Sequence, residues 1–449
     1  MSSRRTQPSR LREVTTETTG SSSGRVRRAV GLSAATITLG ATLAACGGDS
    51  GSTALTWYTN PDSGGQATIA EKCTKEANGK YSIETSGLPS DATAQREQLI
   101  RRLAGSDESV DLMSLDPPFV PEFASAGFLY DIPQDRVQQY TEGIVESAVR
   151  SAEWEGKLVV VPFWANTQLL WYRKSVAEEA GLNMDQAVTW DQLVKAADEQ
   201  GKTVAVQANR YEGYTVWINA LVESAGGEVI QNPEASPEDL KLGLDTTAGK
   251  DAAAVIDQVA TVGGPAMSTM DEEAARALFQ GDSGGFMVNW PYVWASWQAE
   301  VEGGTLDKSV LEDIGWTTYP EVSEGTDSAP PFGGIHIGIG AFSDQPELAL
   351  EAVECITSEE NQVEYMVTNG NPAALKSAYE DKEVRKAYPT ADAILNSLEQ
   401  AAPRPLTPYY SEVSASLQRV FHPPTSVTSS TPAEAATLIK GVINGEVLL

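Results

Sequence analysis

Side chains that could hold a small polar molecule stand directly after several predicted strands of this sequence. They are Asn60, Asp62, Asp116, Trp164, Asn166, Trp290 and Tyr292, followed later by Arg404 in the turn Pro403-Arg404-Pro405. Tryptophan and tyrosine offer flat apolar plates, while aspartate, asparagine and arginine offer forked hydrogen bonding. This mixture matches a sugar, which has apolar ring faces and a rim of hydroxyl groups. The residue types therefore predict a carbohydrate-binding site.

Each of these residues also has a structural interpretation. Turns favour asparagine, aspartate and proline for conformational reasons, and tryptophan often belongs to a core. The carboxylates of Asp62 and Asp116 leave open a glycoside hydrolase, which works with a pair of acids beside the scissile bond. A binder of peptides or of another small solute is a second alternative.

Other chemistries lack the residues they need. The only histidines are His336 and His422, and neither belongs to a Cys/His cluster of the kind that binds zinc. No phosphate-cradling Gly-x-x-x-x-Gly-Lys is present. We therefore expect no catalytic residue, no metal and no cofactor, and we expect His336 to be packed or hydrogen-bonded inside its strand.

An alternation of strands and helices must position the candidate site. Strands are predicted over 54–59, 110–115, 158–161, 169–172, 286–288 and 333–340. Helices are predicted over 66–76, 95–104, 217–224, 271–279, 346–358 and 411–420, and behind the capping box of Thr189 and Gln192. Strand, helix and strand at this spacing predict a parallel sheet with helices on its faces. Ligands of such sheets lie beyond the carboxyl ends of the strands.

A lipoprotein signal peptide is predicted at the start of the chain. The apolar stretch 29–45 follows a basic leader and ends in small residues before Cys46. Residues 1–45 would be removed, Cys46 would carry the lipid, and residues 46–53 would form a flexible tether. A membrane-spanning helix is the alternative, although spanning needs about 20 predominantly apolar residues. We therefore expect an extracytoplasmic body anchored by lipid to the outer face of the cell membrane.

Charge and cysteine content constrain this body further. The net charge is −30 at pH 7 for the whole chain and −35 for the body without residues 1–45, and such a body would be repelled by nucleic acid and anionic lipid surfaces. The chain after Cys46 is too long for one hydrophobic core, which predicts two lobes. Lipidation of Cys46 would leave Cys73 and Cys355, which can form a disulfide outside the membrane. Two separate buried thiols are the alternative.

Four stretches of the chain resemble the extracytoplasmic carbohydrate-binding proteins of ABC importers, the family that includes the maltose-binding protein. They are 95–129, 156–193, 274–294 and 331–340, spread over nearly the whole chain and in family order. The resemblance implies an α/β, periplasmic-binding-protein-like fold with two lobes, hinge strands and a ligand cleft between the lobes. It implies an amino-terminal lobe of 54–163 plus about 327–375 and a carboxy-terminal lobe of 164–326 plus about 376–449. Cys73 and Cys355 would both lie in helices of the amino-terminal lobe.

The same resemblance implies roles for individual residues. Asn60, Asp62, Asp116 and Asn166 match sugar contacts, Trp290 and Tyr292 a stacking segment, and Arg404 a late contact loop, with Glu97, Gln98, Tyr214 and Trp217 as weaker matches. The segments around Asp62, Asp116 and Asn166 resemble the trehalose-binding branch of the family. Pro117 after Asp116 departs from the Asp-Arg pair of maltose binders. The implied partners are a disaccharide, trehalose first, and a membrane permease with a cytoplasmic ATPase, and the implied state is a monomer.

Overall fold

The computed structural model describes residues 52–449, so the signal peptide, Cys46 and most of the tether lie outside the described residues. The strands are β1 Thr53–Thr59, β2 Tyr81–Gly87, β3 Leu112–Leu115, β4 Glu153–Trp154, β5 Lys157–Leu158, β6 Val161–Asn166, β7 Leu169–Arg173, β8 Thr203–Ala205, β9 Gly284–Asn289, β10 Ile314–Thr317 and β11 Gly333–Ile339. The helices are α1 Gly65–Glu76, α2 Ala92–Leu103, α3 Val120–Ser125, α4 Val137–Thr141, α5 Glu146–Ser151, α6 Lys174–Glu179, α7 Trp190–Gln200, α8 Glu212–Ser224, α9 Thr247–Val262, α10 Glu272–Gln280, α11 Tyr292–Glu302, α12 Lys308–Asp313, α13 Pro346–Ile356, α14 Glu359–Asn369, α15 Lys382–Ala387, α16 Ala391–Gln400, α17 Tyr410–Phe421 and α18 Thr431–Ile443.

A five-stranded sheet organises the first lobe, in the order β2-β1-β3-β11-β6. β1 pairs in parallel with β2 and β3, which confirms the parallel sheet predicted from strand, helix and strand. β11 returns from far along the chain and pairs antiparallel with both β3 and β6. The carboxyl ends of β1 and β3 therefore meet at one edge of this sheet, which is where Asn60 and Asp116 lie.

A four-stranded sheet organises the second lobe, in the order β10-β7-β9-β8. β7 pairs antiparallel with β9 and β10, and β8 runs parallel to β9. The chain passes from the first sheet to the second between β6 and β7, and it returns between β10 and β11. The molecule is therefore an α/β protein with two lobes joined by crossing segments.

Each lobe has a separate aromatic and aliphatic core. Trp57 and Phe163 pack edge to face in the first lobe, with ring centroids 5.9 Å apart. In the second lobe, Trp190 lies 5.8 Å from both Trp217 and Tyr319. A third buried cluster contains Trp171 and Trp297, whose ring centroids are 5.3 Å apart. The division into several cores agrees with the expectation that one core could not serve the whole chain.

Several element boundaries differ from the sequence-based prediction. β2 was not predicted, because only Tyr81 and Ile83 of this edge strand are buried and the rest is polar. The strand predicted over 158–161 is divided between β5, which ends at Leu158, and β6, which begins at Val161. β5 pairs with β4 in a small hairpin, whose turn residues Glu155 and Gly156 both have positive φ. Helices α2 and α8 begin earlier than predicted, at Ala92 and Glu212.

Other local predictions agree with the structure. The Thr189 hydroxyl accepts a hydrogen bond from the backbone N–H of Gln192, and the Gln192 side-chain oxygen accepts one from the backbone N–H of Thr189, which forms the predicted capping box. Cys73 of α1 and Cys355 of α13 form a disulfide, with 5.8 Å between their Cα atoms. His336 is fully buried and lies 2.9 Å from the Ser151 hydroxyl, and burial lowers its pKa to about 3.

No helix between residues 52 and 449 is both long enough and apolar enough to cross a membrane.

Candidate functional site

A cavity of about 390 Å³ opens between the two sheets and is lined from both lobes. Its first-lobe wall consists of Asn60, Ser90, Asp91, Ala92, Gln95, Asp116, Trp164 and Asn166. Its second-lobe wall consists of Tyr211, Glu212, Gly213, Val216, Glu272, Trp290 and Arg404, while Gly333, Gly334 and Ile335 of β11 form the floor. The volume falls in the range of about 300–1,000 Å³ that is usual for small-molecule sites.

The first-lobe wall is built from the ends of three strands. Asn60 follows β1, Asp116 follows β3, and Asn166 ends β6, as the alternation of strands and helices predicted. The side-chain Oδ1 of Asn60 and the indole N–H of Trp164 are buried and find no hydrogen-bond partner within residues 52–449. A buried polar atom without a partner is costly, and both of these atoms belong to residues that line the cavity.

The second-lobe wall is held in place by Asn289 at the end of β9. The buried Asn289 side chain accepts a 2.9 Å hydrogen bond from the backbone N–H of Trp290. Its amide group also donates at 3.0 Å to the backbone carbonyl of Glu272. One buried amide thereby fixes the two chain segments that carry Trp290 and Glu272 into the cavity.

The ring of Trp290 lies over the floor of the cavity at Gly333. A Cβ atom on Gly333 would lie 3.2 Å from Cη2 of this ring, which is closer than ordinary packing. Gly213 has a similar role, because a Cβ there would lie 2.2 Å from the Tyr211 hydroxyl. Glycine at both positions lets an aromatic ring lie directly on the backbone of the cavity wall.

Arg404 stands at the junction of the two walls and is only 4% exposed. Its Nη1 donates to Asp116 Oδ2 at 3.2 Å and to Glu212 Oε1 at 2.7 Å, and its Nη2 donates to Asp116 Oδ1 at 2.5 Å. The Nε of Arg404 has no partner in the described part of the chain. One edge of the cavity thus contains an ion triad, in which two carboxylates share one guanidinium.

Burial changes the titration of the acids in the second-lobe wall. Burial raises the pKa of Glu272, and it also raises the pKa of Glu212, although the neighbouring Arg404 opposes the second effect. The pKa of Arg404 itself lies above its usual range, because Asp116 and Glu212 outweigh the effect of burial. Burial therefore makes both acids harder to ionise than exposed carboxylates.

Five of the eleven ligand contacts predicted from the sequence line this cavity, namely Asn60, Asp116, Asn166, Trp290 and Arg404. The other six, Asp62, Glu97, Gln98, Tyr214, Trp217 and Tyr292, lie elsewhere. Asp62 accepts hydrogen bonds from the backbone N–H groups of Gly64 and Gln66, at 2.9 and 2.7 Å, and so caps the start of α1.

The remaining five have packing or surface positions. Tyr214 and Trp217 are fully buried in the second core, where the Tyr214 hydroxyl donates to the Phe421 carbonyl at 2.9 Å. The Tyr292 hydroxyl donates to Glu273 at 2.7 Å outside the cavity. Glu97 is exposed and Gln98 half-buried on α2. We leave these six residues out of the proposed binding set.

Several cavity residues were missed because two helices were predicted to begin too late. Asp91 is the cap of α2 and accepts from Ala94 N–H at 2.9 Å, a signal that the sequence carries as an aspartate three residues before that amide. Glu212 and Tyr211 stand at the start of α8, which was predicted to begin at Trp217. Glu272 lay inside a correctly predicted helix, but its position at the helix start was not linked to binding.

A second cavity, of about 470 Å³, shares Arg404 with the first. It is lined by Arg150, Glu223 and Glu228, together with the segment 399–406. Apart from Arg404, none of the eleven predicted contacts lines it. We therefore take the first cavity as the candidate binding site.

Comparison with known proteins gives three informative similarities. A Deinococcus radiodurans protein described as a probable ABC transporter-binding protein is 26% identical over 287 residues, which cover 62% of this chain and 64% of that protein. The match therefore spans slightly less than two thirds of this relative. The diacetylchitobiose binding protein DasA of Streptomyces coelicolor is 22% identical over 433 residues, 90% of this chain and 94% of DasA. The structure of maltose-bound MalE3 from T. maritima superposes with a TM-score of 0.72 at 25% identity, over 88% of this chain and all of that one.

Residues 58–363, more than half of the chain, match the family described as bacterial extracellular solute-binding protein. The relatives are binding proteins rather than enzymes, and Asp62, one of the two carboxylates of the hydrolase alternative, lies outside the cavity. The fold of two α/β lobes with a cleft between them agrees with this assignment. The chain belongs to the family of bacterial extracellular solute-binding proteins and is not an enzyme.

Proposed function

We propose that this protein is the sugar-binding component of an ABC importer, and that it captures trehalose or a related α-linked disaccharide for a membrane permease. The observation that carries the proposal is the cavity itself. The Trp290 ring lies over its floor, and the lining residues Asn60, Trp164 and Arg404 each carry a buried polar atom that has no partner within residues 52–449. A neutral sugar binds through an aromatic ring that stacks on its pyranose ring and through polar groups that hydrogen-bond its hydroxyls, and the lining of this cavity contains residues of both kinds.

The charges of the cavity disfavour an anionic ligand. Arg404 is the only basic residue among the described residues that line the cavity, and it is bonded to both Asp116 and Glu212. An anion would have to displace a carboxylate from the guanidinium. This exchange breaks a charge-assisted bond, worth about 1.5–3 kcal/mol. Hydroxyl groups can instead bond the remaining lone pairs and N–H groups without disturbing the pair.

The proposal is tested by isothermal titration calorimetry with a panel of trehalose, maltose, diacetylchitobiose and glucose. Trehalose should bind tightest, and glucose should bind more weakly because it fills only part of the cavity. Tighter binding of another disaccharide would retain the sugar-binding function and overturn the trehalose assignment. Binding of a peptide or of another solute, with no sugar bound, would overturn the function itself.

Capture should be coupled to closure of the cleft. A sugar held between two lobes contacts both, and it therefore stabilises the arrangement in which they are close together. Small-angle X-ray scattering should give a smaller radius of gyration with trehalose than without it. An unchanged radius with a tightly bound sugar would contradict the closure mechanism and leave binding intact.

We also propose that lipid on Cys46 anchors the protein to the outer face of the membrane. The support is the basic leader, the apolar stretch 29–45 and the small residues that precede Cys46. The variant Cys46→Ala should be released from membranes into the soluble fraction. Retention of the variant in the detergent phase would contradict the anchor. Cys73→Ser provides the matched cysteine control.

A further inference from the structure

An ion triad of Asp116, Arg404 and Glu212 joins the two lobes at one edge of the cavity. Asp116 follows β3 of the first sheet, whereas Glu212 begins α8, whose apolar face packs in the second core. Arg404 bonds both carboxylates through its two Nη atoms. The guanidinium thus links a carboxylate of the first lobe to a carboxylate of the second lobe.

Arg404 and Glu212 both belong structurally to the second lobe. The backbone carbonyl of Pro403 accepts a 3.3 Å hydrogen bond from the Asn219 side chain of α8. Glu212 is held by the Ser414 hydroxyl at 2.6 Å and by the Tyr410 hydroxyl, both from α17. Asp116 is therefore the member of the triad that must approach from the other lobe.

We propose that Glu212 is a positioning residue, which fixes the Arg404 guanidinium so that it bonds Asp116 across the cleft and favours the arrangement of close lobes that a sugar then stabilises further. Arg404 then contributes to capture chiefly by holding the lobes together. The part of this inference that concerns sugar affinity rests on the proposed function. The part that concerns the lobes alone does not.

The number of hydrogen bonds on the guanidinium supports this assignment. Arginine carries five N–H groups in a rigid plane. Three bonds go to carboxylates of the triad, so more of its donors hold protein than remain for a ligand. A guanidinium held on one side by Glu212 presents its other edge in a fixed orientation, which reduces the entropy lost when Asp116 arrives.

A dry aromatic contact reinforces the same junction. Phe119, three residues after Asp116, packs edge to face on Tyr410, with ring centroids 5.5 Å apart. Phe119 is 3% exposed and Tyr410 is fully buried. Exclusion of water from the junction strengthens the neighbouring ion pair, because the local dielectric constant is low.

The test measures the distance between the lobes in the sugar-free protein. Nitroxide labels would be attached through an unnatural amino acid at the exposed positions Glu97 on α2 and Lys195 on α7, which leaves the disulfide intact. Electron–electron double resonance should give a longer mean distance for Asp116→Asn than for the parent. Glu212→Gln should lengthen it in the same direction, and the double variant should add little, because both changes break one linkage.

Asp62→Asn is the matched control, since it makes the same chemical change after a neighbouring strand and outside the cavity. Its lobe distance should equal that of the parent. Unchanged distances for both Asp116→Asn and Glu212→Gln would overturn the inference. Arg404→Lys, which keeps the charge but loses the planar guanidinium, tests the link to Asp116. If Glu212→Gln fails to fold, Ser414→Ala, which removes a hydrogen bond to Glu212, tests the positioning role in its place, and an unchanged lobe distance in that variant would overturn it.

Sugar titration then separates this inference from the proposed function. Asp116→Asn and Arg404→Lys should each weaken trehalose binding by about tenfold or more. The two losses should be non-additive, because they remove the same bond. Longer lobe distances in a protein that binds no sugar would retain the linkage and overturn the proposed function alone.

Discussion

Tryptophan has opposite roles in the cavity wall and in the core of the second lobe. Trp290 is half-buried and presents its ring to the cavity, whereas Trp217 is fully buried between Trp190 and Tyr214. Both regions contain an indole N–H without a protein partner in the described chain, that of Trp164 in the wall and that of Trp217 in the core. Of these two residues, Trp164 lines the cavity and Trp217 does not. Residue type alone therefore does not distinguish a binding residue from a packing residue.

The largest expected effect is on stability, in the core. Trp217→Ala should lower the free energy of unfolding by about 3–5 kcal/mol, because it leaves a cavity among packed rings. Urea denaturation followed by circular dichroism measures the loss. Trehalose affinity of the folded fraction should stay near that of the parent. A large loss of affinity with little loss of stability would place Trp217 in the binding set after all.

Removal of the disulfide should come next. The bridge joins α1 and α13 of the first lobe across a sequence separation of 282 residues. The double variant Cys73→Ser with Cys355→Ser should lose about 2–4 kcal/mol of stability, since the unfolded chain becomes freer. Neither residue lines the cavity, so affinity should not change. Two reactive thiols in the denatured, unreduced parent would show that the bridge does not form.

Glu223 should make stability depend on pH. It lines the second cavity near Glu228 and Arg150, and burial raises its pKa from 4.5 to about 8. Between these values the folded protein keeps a proton that the unfolded chain releases, so stability falls as the pH rises. The loss should be about 2–3 kcal/mol between about pH 5 and pH 7.5.

Other buried acids titrate as well, so the measurement is the difference between the parent and Glu223→Gln. Urea denaturation of both proteins at the two pH values gives four free energies. The variant should lose less stability on going to the higher pH than the parent does. Equal losses would mean that Glu223 is ionised throughout.

The two aspartates after strands of the first sheet should differ in what they affect. Asp62 caps α1, and Asp62→Ala should cost about 0.5–2 kcal/mol of stability by leaving backbone N–H groups without an acceptor. The affinity of the Asp62→Ala variant for trehalose should remain within a few-fold of the parent value. Asp116→Ala should instead lower affinity. Calorimetry of the two variants compares them directly, and equal affinity losses would return Asp62 to the site.

Sequence patterns predicted those residues of the candidate cavity that follow strand ends. Asn60, Asp116 and Asn166 were found because buried strands have clear boundaries and because a sheet brings its strand ends to one edge. Trp290 was found through the same rule applied to the second sheet. The disulfide was permitted by the sequence, but its pairing depends on the packing of α1 against α13.

The remaining residues depend on tertiary packing that local patterns do not contain. Tyr214 and Trp217 follow Glu212 on the same helix, yet they face the core while Glu212 faces Arg404. That distinction follows from the orientation of α8 against α17, which no local sequence pattern specifies. Asp62 was predicted to contact the ligand, whereas it bonds backbone N–H groups at the start of α1. A carboxylate after a strand can do either, and the local sequence does not distinguish the two roles.

The most direct test of the cavity assignment is calorimetric titration of trehalose and the other panel sugars into Trp290→Ala. Loss of the plate should weaken binding of the preferred sugar by about ten- to a hundredfold. The free energy of unfolding should change little, because the ring is only half-buried. Glu359→Ala, at an exposed position on α14, is the control and should bind like the parent. Parent-like affinity of Trp290→Ala for the preferred sugar would contradict the account and place the sugar outside this cavity.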